Sequence, residues 1–199
     1  MLRLERHSGA SLEHYIPVLA QLRIEVFREF PYLYRGDLDY ESQYLQTYIR
    51  SAGSVIVLAL DGEEVVGAAT GLPLRHETEE FKRPFSAHGY EIGKIFYFGE
   101  SVLRKTYRGQ GIGVKFFSER EAHARSLGEF DITCFCAVQR PPDHPRRPPN
   151  YVPLDSFWQK RGYAKQPSLQ TDYVWQDLDE DAPSAKPMVF WLKHWPALT

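Results

Sequence analysis

Residues 108–113 read Arg-Gly-Gln-Gly-Ile-Gly and connect an apolar run that ends at Leu103 to a helical pattern that starts near Ile112. Three of the six residues are glycines, which allow positive φ angles and a close approach of the backbone to a ligand. The N–H groups exposed there lie at the start of a helix, where the helix dipole favours anions. The stretch therefore predicts a strand-to-helix turn that binds a pyrophosphate.

The pattern after this turn predicts a helix that ends near Leu127. Gly128 follows as a C-terminal stop signal. Apolar residues recur at roughly helical spacing and charged residues are expected on the other face. The apolar set is Ile112, Phe116, Phe117, Ala124 and Leu127, and the charged set is Glu119, Arg120, Glu121 and Arg125.

The spacing of the glycines excludes two common phosphate-binding motifs. A P-loop requires a Lys followed by Ser or Thr, which this stretch lacks, and a dinucleotide fingerprint requires a glycine where Val114 or Phe116 stands. The remaining pattern, Arg108-x-x-Gly111-x-Gly113 between a strand and a helix, resembles the GNAT superfamily of acyl-CoA-dependent N-acetyltransferases, of the bacterial single-domain type.

Composition is that of a folded protein with a proper core. The chain has 199 residues, 43% of them hydrophobic, and a net charge of −2, which favours a single domain over residues 1–199. The near-neutral charge argues against nucleic-acid binding. Because the sequence lacks an apolar run of roughly 18–20 residues and an apolar signal core, we expect no membrane partner and a cytoplasmic location.

The two cysteines, Cys134 and Cys136, stand one residue apart in an apolar segment. They lack the paired spacing of a zinc site and are interpreted as core thiols. The seven histidines are scattered, and no His-Glu-x-x-His occurs. We therefore expect no metal.

Periodicity predicts alternating elements along the chain, and Asp61-Gly62 indicates a hairpin. The order matches the one that the GNAT resemblance implies: an α/β (α+β) fold with a mixed, mostly antiparallel central sheet, splayed in the middle and flanked by helices. Strands are predicted at 1–6, 54–60, 65–72, 95–103, 131–138, 169–175 and 188–192, and helices at 12–30, 40–53, 112–127 and 153–162, with a short helix between 76 and 93.

The resemblance implies direct transfer of an acetyl or other acyl group from acetyl-CoA to a primary amine. It also implies that the backbone around Val102 and Leu103 pairs with the pantetheine amides and polarises the thioester carbonyl. The pyrophosphate would be bound by the segment Arg108, Gly109, Gln110, Gly111, Ile112, Gly113 and Val114.

Glu100 is the candidate general base, because a partly buried carboxylate on the thioester strand would have a raised pKa. Glu91 and water are alternatives. The family usually places a Tyr near the thiolate, but here that position is Trp158, whose indole N–H is too weak an acid. Tyr151 is the preferred replacement, with Ser156 and solvent as alternatives.

An aromatic loop with acidic residues is the candidate acceptor site, because aromatic faces and carboxylates suit a cationic amine. Its residues are Tyr32, Tyr34, Asp37, Asp39 and Tyr40. The acceptor could be a small molecule or a peptide, and a homodimer is possible by resemblance.

A non-catalytic acyl-CoA-binding or sensing domain is the alternative function, suggested by Trp158. A serine hydrolase is disfavoured: Gly99-Glu100-Ser101 begins like a nucleophile elbow, but Leu103 stands where the motif needs glycine.

Overall fold

The computed structural model describes residues 1–196, which form eight strands and five α-helices. The strands are β1 (Leu2–His7), β2 (Val55–Asp61), β3 (Glu64–Pro73), β4 (Ile95–Tyr97), β5 (Ser101–Leu103), β6 (Ile132–Val138), β7 (Ala164–Trp175) and β8 (Ser184–His194). The helices are α1 (Ile16–Phe27), α2 (Leu38–Arg50), α3 (Glu79–Ala87), α4 (Ile112–Leu127) and α5 (Asp155–Gln159).

All eight strands belong to one sheet in the order β1-β2-β3-β4-β6-β8-β7, with β5 beside β3. Within residues 1–196 every strand pair is antiparallel except β4 with β6. That parallel pair needs a crossover, which α4 supplies. The predicted mixed and mostly antiparallel sheet flanked by helices is confirmed.

One extra residue splits the strand that was predicted as continuous from 95 to 103. Leu72 of β3 faces Tyr97 of β4, and Ala69 of β3 faces Ser101 of β5. Two residues on β3 therefore oppose three on the other strand, which defines a β-bulge. The middle residue is Gly99, where a Cβ would overlap the hydroxyl of Tyr48. The continuous-strand prediction was wrong because a bulge leaves no periodic signature in the sequence.

The bulge opens the sheet. β4 pairs with β3 on one side and with β6 on the other, whereas β5 pairs with β3 alone within residues 1–196. β6 continues along β8 instead. A wedge-shaped gap therefore separates β5 from the end of β6, as the splayed sheet of the prediction requires.

Two apolar cores cover the two faces of the sheet. One lies beneath α1, α2 and α3, and the other beneath α4 and α5. Cys134 and Cys136 are buried free thiols in the first core, as predicted.

The helix boundaries follow the sequence closely at α4, which begins at Ile112 and ends at Leu127, with Gly128 in the left-handed conformation. The first helix is shorter than predicted, because a 3-10 helix occupies Gly9–Tyr15 and α1 begins at Ile16 with Pro17 in its first turn. The last two strands are longer than predicted. No helix of the described residues is long and apolar enough to cross a membrane.

Candidate active site

A cleft with a volume of about 1660 Å³ occupies the gap between β5 and β6. Its walls include the turn before α4, the loop before α5 and the loop after α1. The cleft brings together residues that are far apart in the sequence, among them Tyr32, Glu100, Gly111, Cys136 and Tyr151.

The backbone of β5 presents free polar groups to this cleft. In an antiparallel pair, successive residues direct their N–H and C=O groups to alternate sides. The even-numbered residues of this strand hydrogen-bond to β3, so the N–H and C=O of Val102 face β3. Those of Ser101 and Leu103 face the gap. Two hydrogen bonds fix this alternation, Thr70 N to Glu100 O at 3.0 Å and Arg104 N to Val66 O at 3.0 Å.

The glycine turn forms an open cradle at the mouth of the cleft. Gly109 and Gly111 have φ angles of +78° and +80°, and a Cβ at either position would meet nothing within 4 Å. Because the first turn of a helix has no intrahelical acceptors for its N–H groups, those of Ile112, Gly113 and Val114 are available to a ligand. An anion fits here for both electrostatic and steric reasons.

The side chains of the turn have structural contacts instead. Ile112 is buried in the core below α4, and the amide of Gln110 donates to Thr106 O at 3.1 Å. A Cβ at Gly113 would lie 3.3 Å from the ring of Phe157, so this glycine allows α5 to approach α4. Val114 is exposed on the wall of the cleft.

The Arg108 side chain connects the turn to its surroundings. Its Nε donates to Leu103 O at 3.0 Å, and its Nη1 lies 2.7 Å from Glu29 Oε2. One of the two outward polar groups of Leu103 is thus occupied, and its N–H remains for a ligand. The positive charge of Arg108 is partly balanced by Glu29.

Comparison with known proteins places this geometry in a family. The sequence model of the Acetyltransferase (GNAT) family matches residues 19–148. The chain belongs to the GNAT acetyltransferase family. It is therefore an acetyl-CoA-dependent acyltransferase. None of the curated protein sequences that were compared with the chain matches it.

Solved structures of acetyltransferases share the fold at low sequence identity. Ribosomal-protein-alanine N-acetyltransferase from Brucella melitensis aligns with a TM-score of 0.63 and 16% identity, covering 97% of this chain and 99% of that one. NAA60 from Arabidopsis thaliana in complex with acetyl-CoA gives 0.63 and 14%, covering 98% of each chain. The putative acetyltransferase yncA from Salmonella typhimurium, with acetyl-CoA, gives 0.61 and 10%, covering 100% and 96%.

Arg120 of this GNAT domain lies in the floor of the cleft and is 1% exposed. Within residues 1–196 its guanidinium forms no ion pair with a carboxylate and instead donates to oxygens of three elements. These are Phe116 O at 3.2 Å, Thr70 O at 3.1 Å, Glu100 O at 3.0 Å and Ser101 Oγ at 2.8 Å. Burial lowers the pKa of Arg120 to about 10, so the side chain stays charged at neutral pH.

The bonds of Arg120 join α4 to both strands at the bulge. Thr70 belongs to β3, and Glu100 and Ser101 flank the point where β5 begins. Both carbonyls also accept from backbone N–H groups across the bulge, Glu100 O from Thr70 N at 3.0 Å and Thr70 O from Gly99 N at 3.2 Å. The guanidinium therefore gives each oxygen a second, charged donor. The prediction that Arg120 lies on the polar face of the helix was wrong. Its position four residues after Phe116, on the apolar stripe, is the signal that could have found it.

Glu100 is buried where the bulge meets the cleft, and it has a charged partner. Arg23 Nη1 lies 2.5 Å from Glu100 Oε1, close enough for an ion pair although the N–H direction does not meet the oxygen. Arg23 Nε also bonds to the buried carboxylate of Glu41. The Tyr44 hydroxyl lies 3.4 Å from Glu100 Oε2. Glu100 therefore belongs to a buried charged group with Arg23 and Glu41.

Glu77 is a further buried carboxyl, in the segment between β3 and α3. It is 5% exposed and accepts one hydrogen bond, from Thr78 N at 3.2 Å. Burial raises the pKa of Glu77 to about 7, and the charge of Glu100 adds to the effect. Sequence reasoning missed both Arg23 and Glu77, because neither belongs to a motif and their environment is created by packing.

Tyr151 and Trp158 lie on the opposite wall of the cleft. The ring of Tyr151 packs edge-on against Phe30, with centroids 4.7 Å apart, and burial raises the pKa of its hydroxyl. Trp158 packs against Phe135 and Trp191, with centroids 5.1 and 5.0 Å away. Trp158 thus fills the core beside the cleft.

The predicted acceptor residues separate in the structure. Tyr32 lines the cleft, but Asp37 Oδ1 accepts a hydrogen bond from Tyr40 N at 2.7 Å and caps α2. Tyr34 forms a β-bridge with Asp177 outside the strands. Of the five residues singled out in the aromatic loop, Tyr32 is the one that lines the cleft.

Proposed function

We propose that this GNAT enzyme transfers an acetyl group from acetyl-CoA directly to a primary amine. The observation that supports the proposal is the gap between β5 and β6, which has an anion cradle at its mouth and a buried carboxylate, Glu100, at its inner end. Bound acetyl-CoA would supply an activated acyl group. The chain would supply binding, orientation and a route for the amine proton.

The backbone would hold most of the donor. The free N–H groups of residues 112–114 suit the pyrophosphate, and the outward peptide groups of Ser101 together with the N–H of Leu103 suit the amides of pantetheine. In this geometry Val102 contributes through its side chain, which is fully buried beneath β5 and fixes the strand. Its peptide groups belong to the pairing with β3.

Direct transfer is favoured over a covalent acyl-cysteine step. Cys136 is the thiol that lines the cleft, and burial raises its pKa to about 12. A thiol that is so weakly ionised at neutral pH is a poor nucleophile, since the thiolate is the reactive form.

Glu100 is the proposed acceptor of the amine proton, and its pairing with Arg23 would fix its position. The net charge of the buried group formed by Arg23, Glu41 and Glu100 is −1 when all three are ionised. A protonated amine would balance this charge on arrival. Tyr151 remains the proposed proton donor from the opposite wall.

A thiol-release assay tests the function. Acetyl-CoA is offered with a panel of amines, amino acids, aminoglycosides and peptides with free N-termini, and release of CoA above the rate without acceptor is the expected result. No release with any acceptor, in a protein that binds acetyl-CoA by calorimetry, would leave only the binding function. With an acceptor in hand, Glu100→Gln is expected to keep acetyl-CoA affinity and flatten the alkaline-rising limb of the rate profile. An unchanged profile would remove Glu100 from the mechanism.

A further inference from the structure

Ser101 is a polar residue of the cleft with an unusual partner. It is the first residue of β5, its side chain is exposed, and it faces the helix side of the sheet, where Arg120 lies. Arg120 Nη2 donates to Ser101 Oγ at 2.8 Å. An exposed hydroxyl therefore receives a hydrogen bond from a fully buried cation.

This bond determines which part of the serine hydroxyl stays available to a ligand. A guanidinium can only donate, so the serine oxygen is the acceptor and the hydroxyl hydrogen must be used elsewhere. The same guanidinium also binds the carbonyls of Thr70 and Glu100, so it cannot follow the serine if the serine rotates. The free direction is the cleft, which both Ser101 and Arg120 line.

Arg120 also makes the hydroxyl a better donor. A hydrogen bond from a cation polarises the O–H bond of the acceptor, and buried chains of this kind strengthen one another. The guanidinium lies over the rings of Phe98 and Phe117, at 4.2 and 5.1 Å from their centroids. These two neighbouring rings help to shield it from water.

We propose that Ser101, held by Arg120, is the hydrogen-bond donor that stabilises the sulfur of coenzyme A as a thiolate. This inference rests on the proposed binding of the pantetheine arm along β5. In the transfer the carbon–sulfur bond breaks and its electron pair goes to sulfur, while the acyl carbon bonds to the acceptor nitrogen and the amine proton passes to Glu100 or water. Ser101 donates its hydrogen bond to the sulfur and keeps its proton.

The assignment supplies a hydrogen bond to the sulfur that Trp158 does not provide, while Tyr151 remains the proposed donor of the proton. The indole of Trp158 is packed between Phe135 and Trp191, and its N–H is a weak acid. Ser101 approaches the cleft from the strand instead of the last helix. Arg120 is a positioning residue in this scheme, because it acts through the serine.

The test is a titration of CoA bound to the enzyme without any acceptor. The ultraviolet absorbance of the thiolate is followed against pH for wild type, Ser101→Ala, Ser101→Thr and the control Ser118→Ala, whose hydroxyl lies on α4 and bonds to Val114 O. Loss of one donor to a charged sulfur is expected to raise the pKa of the bound thiol by roughly one to two. Threonine should restore the wild-type value, and Ser118→Ala should not change it.

The kinetic expectation follows from the same bond. Ser101→Ala should lower kcat roughly ten- to hundred-fold, with KM for acetyl-CoA changed less than about three-fold, since the bond strengthens as charge develops on sulfur. A wild-type thiol pKa in Ser101→Ala would overturn the inference, even if activity fell. The titration needs no acceptor. Its result can therefore be interpreted even if the amine screen finds no substrate.

A second variant, Arg120→Lys, tests whether Arg120 positions the serine. In an Arg120→Lys background that still binds CoA, the effect of Ser101→Ala on the thiol pKa should shrink, because a lysine cannot bond the serine and both carbonyls in the same geometry. An effect of full size in that background would show that the serine acts without Arg120 and would overturn the positioning role.

Discussion

The substitution Gly111→Leu tests whether the glycine turn binds CoA, because it should weaken binding far more than it destabilises α4, the helix that begins after the turn. Gly111 has a φ of +80°, and a Cβ there would meet nothing within 4 Å. The cost to folding is therefore the left-handed conformation alone, about 1–2 kcal/mol. For a chain of this size that corresponds to a fall in Tm of roughly 2–8 °C, so the protein should remain folded.

The effect on CoA binding should be much larger. The new side chain would project into the space that the turn leaves open for the pyrophosphate. A hydrogen bond to a charged group contributes about 1.5–3 kcal/mol, so the loss of two such bonds would weaken binding by at least about a hundred-fold.

Calorimetric titration with CoA measures this difference, and Gly128→Leu is the matched control. Gly128 lies at the other end of α4 with a φ of +71° and equally open surroundings. It should lose similar stability and keep its affinity. Wild-type affinity in folded Gly111→Leu would refute the cradle, and an equal loss in Gly128→Leu would assign the effect to helix strain.

Two further predictions concern buried charges. Arg23→Met should lower the unfolding free energy by about 3–5 kcal/mol, because two buried carboxylates lose their partner. The control Arg75→Met, at an exposed ion pair, should lower it by less than about 1 kcal/mol. Denaturant titrations measure both losses, and equal losses would contradict the prediction. Glu77 has a pKa of about 7 when folded, so it destabilises the fold as pH rises from about 4.5 to 7, by about 3 kcal/mol. Glu77→Gln should therefore have a higher Tm than wild type at pH 8, and the same Tm as wild type at pH 5. A difference in Tm that is equal at both pH values would refute the assignment, as would the same gain in the exposed control Glu79→Gln.

The α4 region illustrates how much the sequence could predict. The bounds of this helix, the glycine turn before it and Gly128 after it follow from local rules, because backbone conformation and helix capping depend on neighbouring residues. The same holds for the Asp61-Gly62 hairpin, which joins β2 and β3 as expected. The order of elements and the family resemblance followed from these local signals.

The buried charges illustrate what the sequence could not predict. Arg23 and Glu100 are 77 positions apart by their numbering, and they meet because α1 packs against the bulge. Glu100 was singled out for its position on the strand, but its partner was not. The contact between Ser101 and Arg120 similarly depends on how α4 crosses the sheet.

By itself the sequence determined the glycine turn and the helix α4 that follows it, since positive φ angles and helix termination depend on neighbouring residues. Tertiary structure alone decided where the sheet opens and which side chains face the opening. The bulge at Phe98–Glu100 exists because one more residue stands on this strand than on β3, a count that only strand pairing defines.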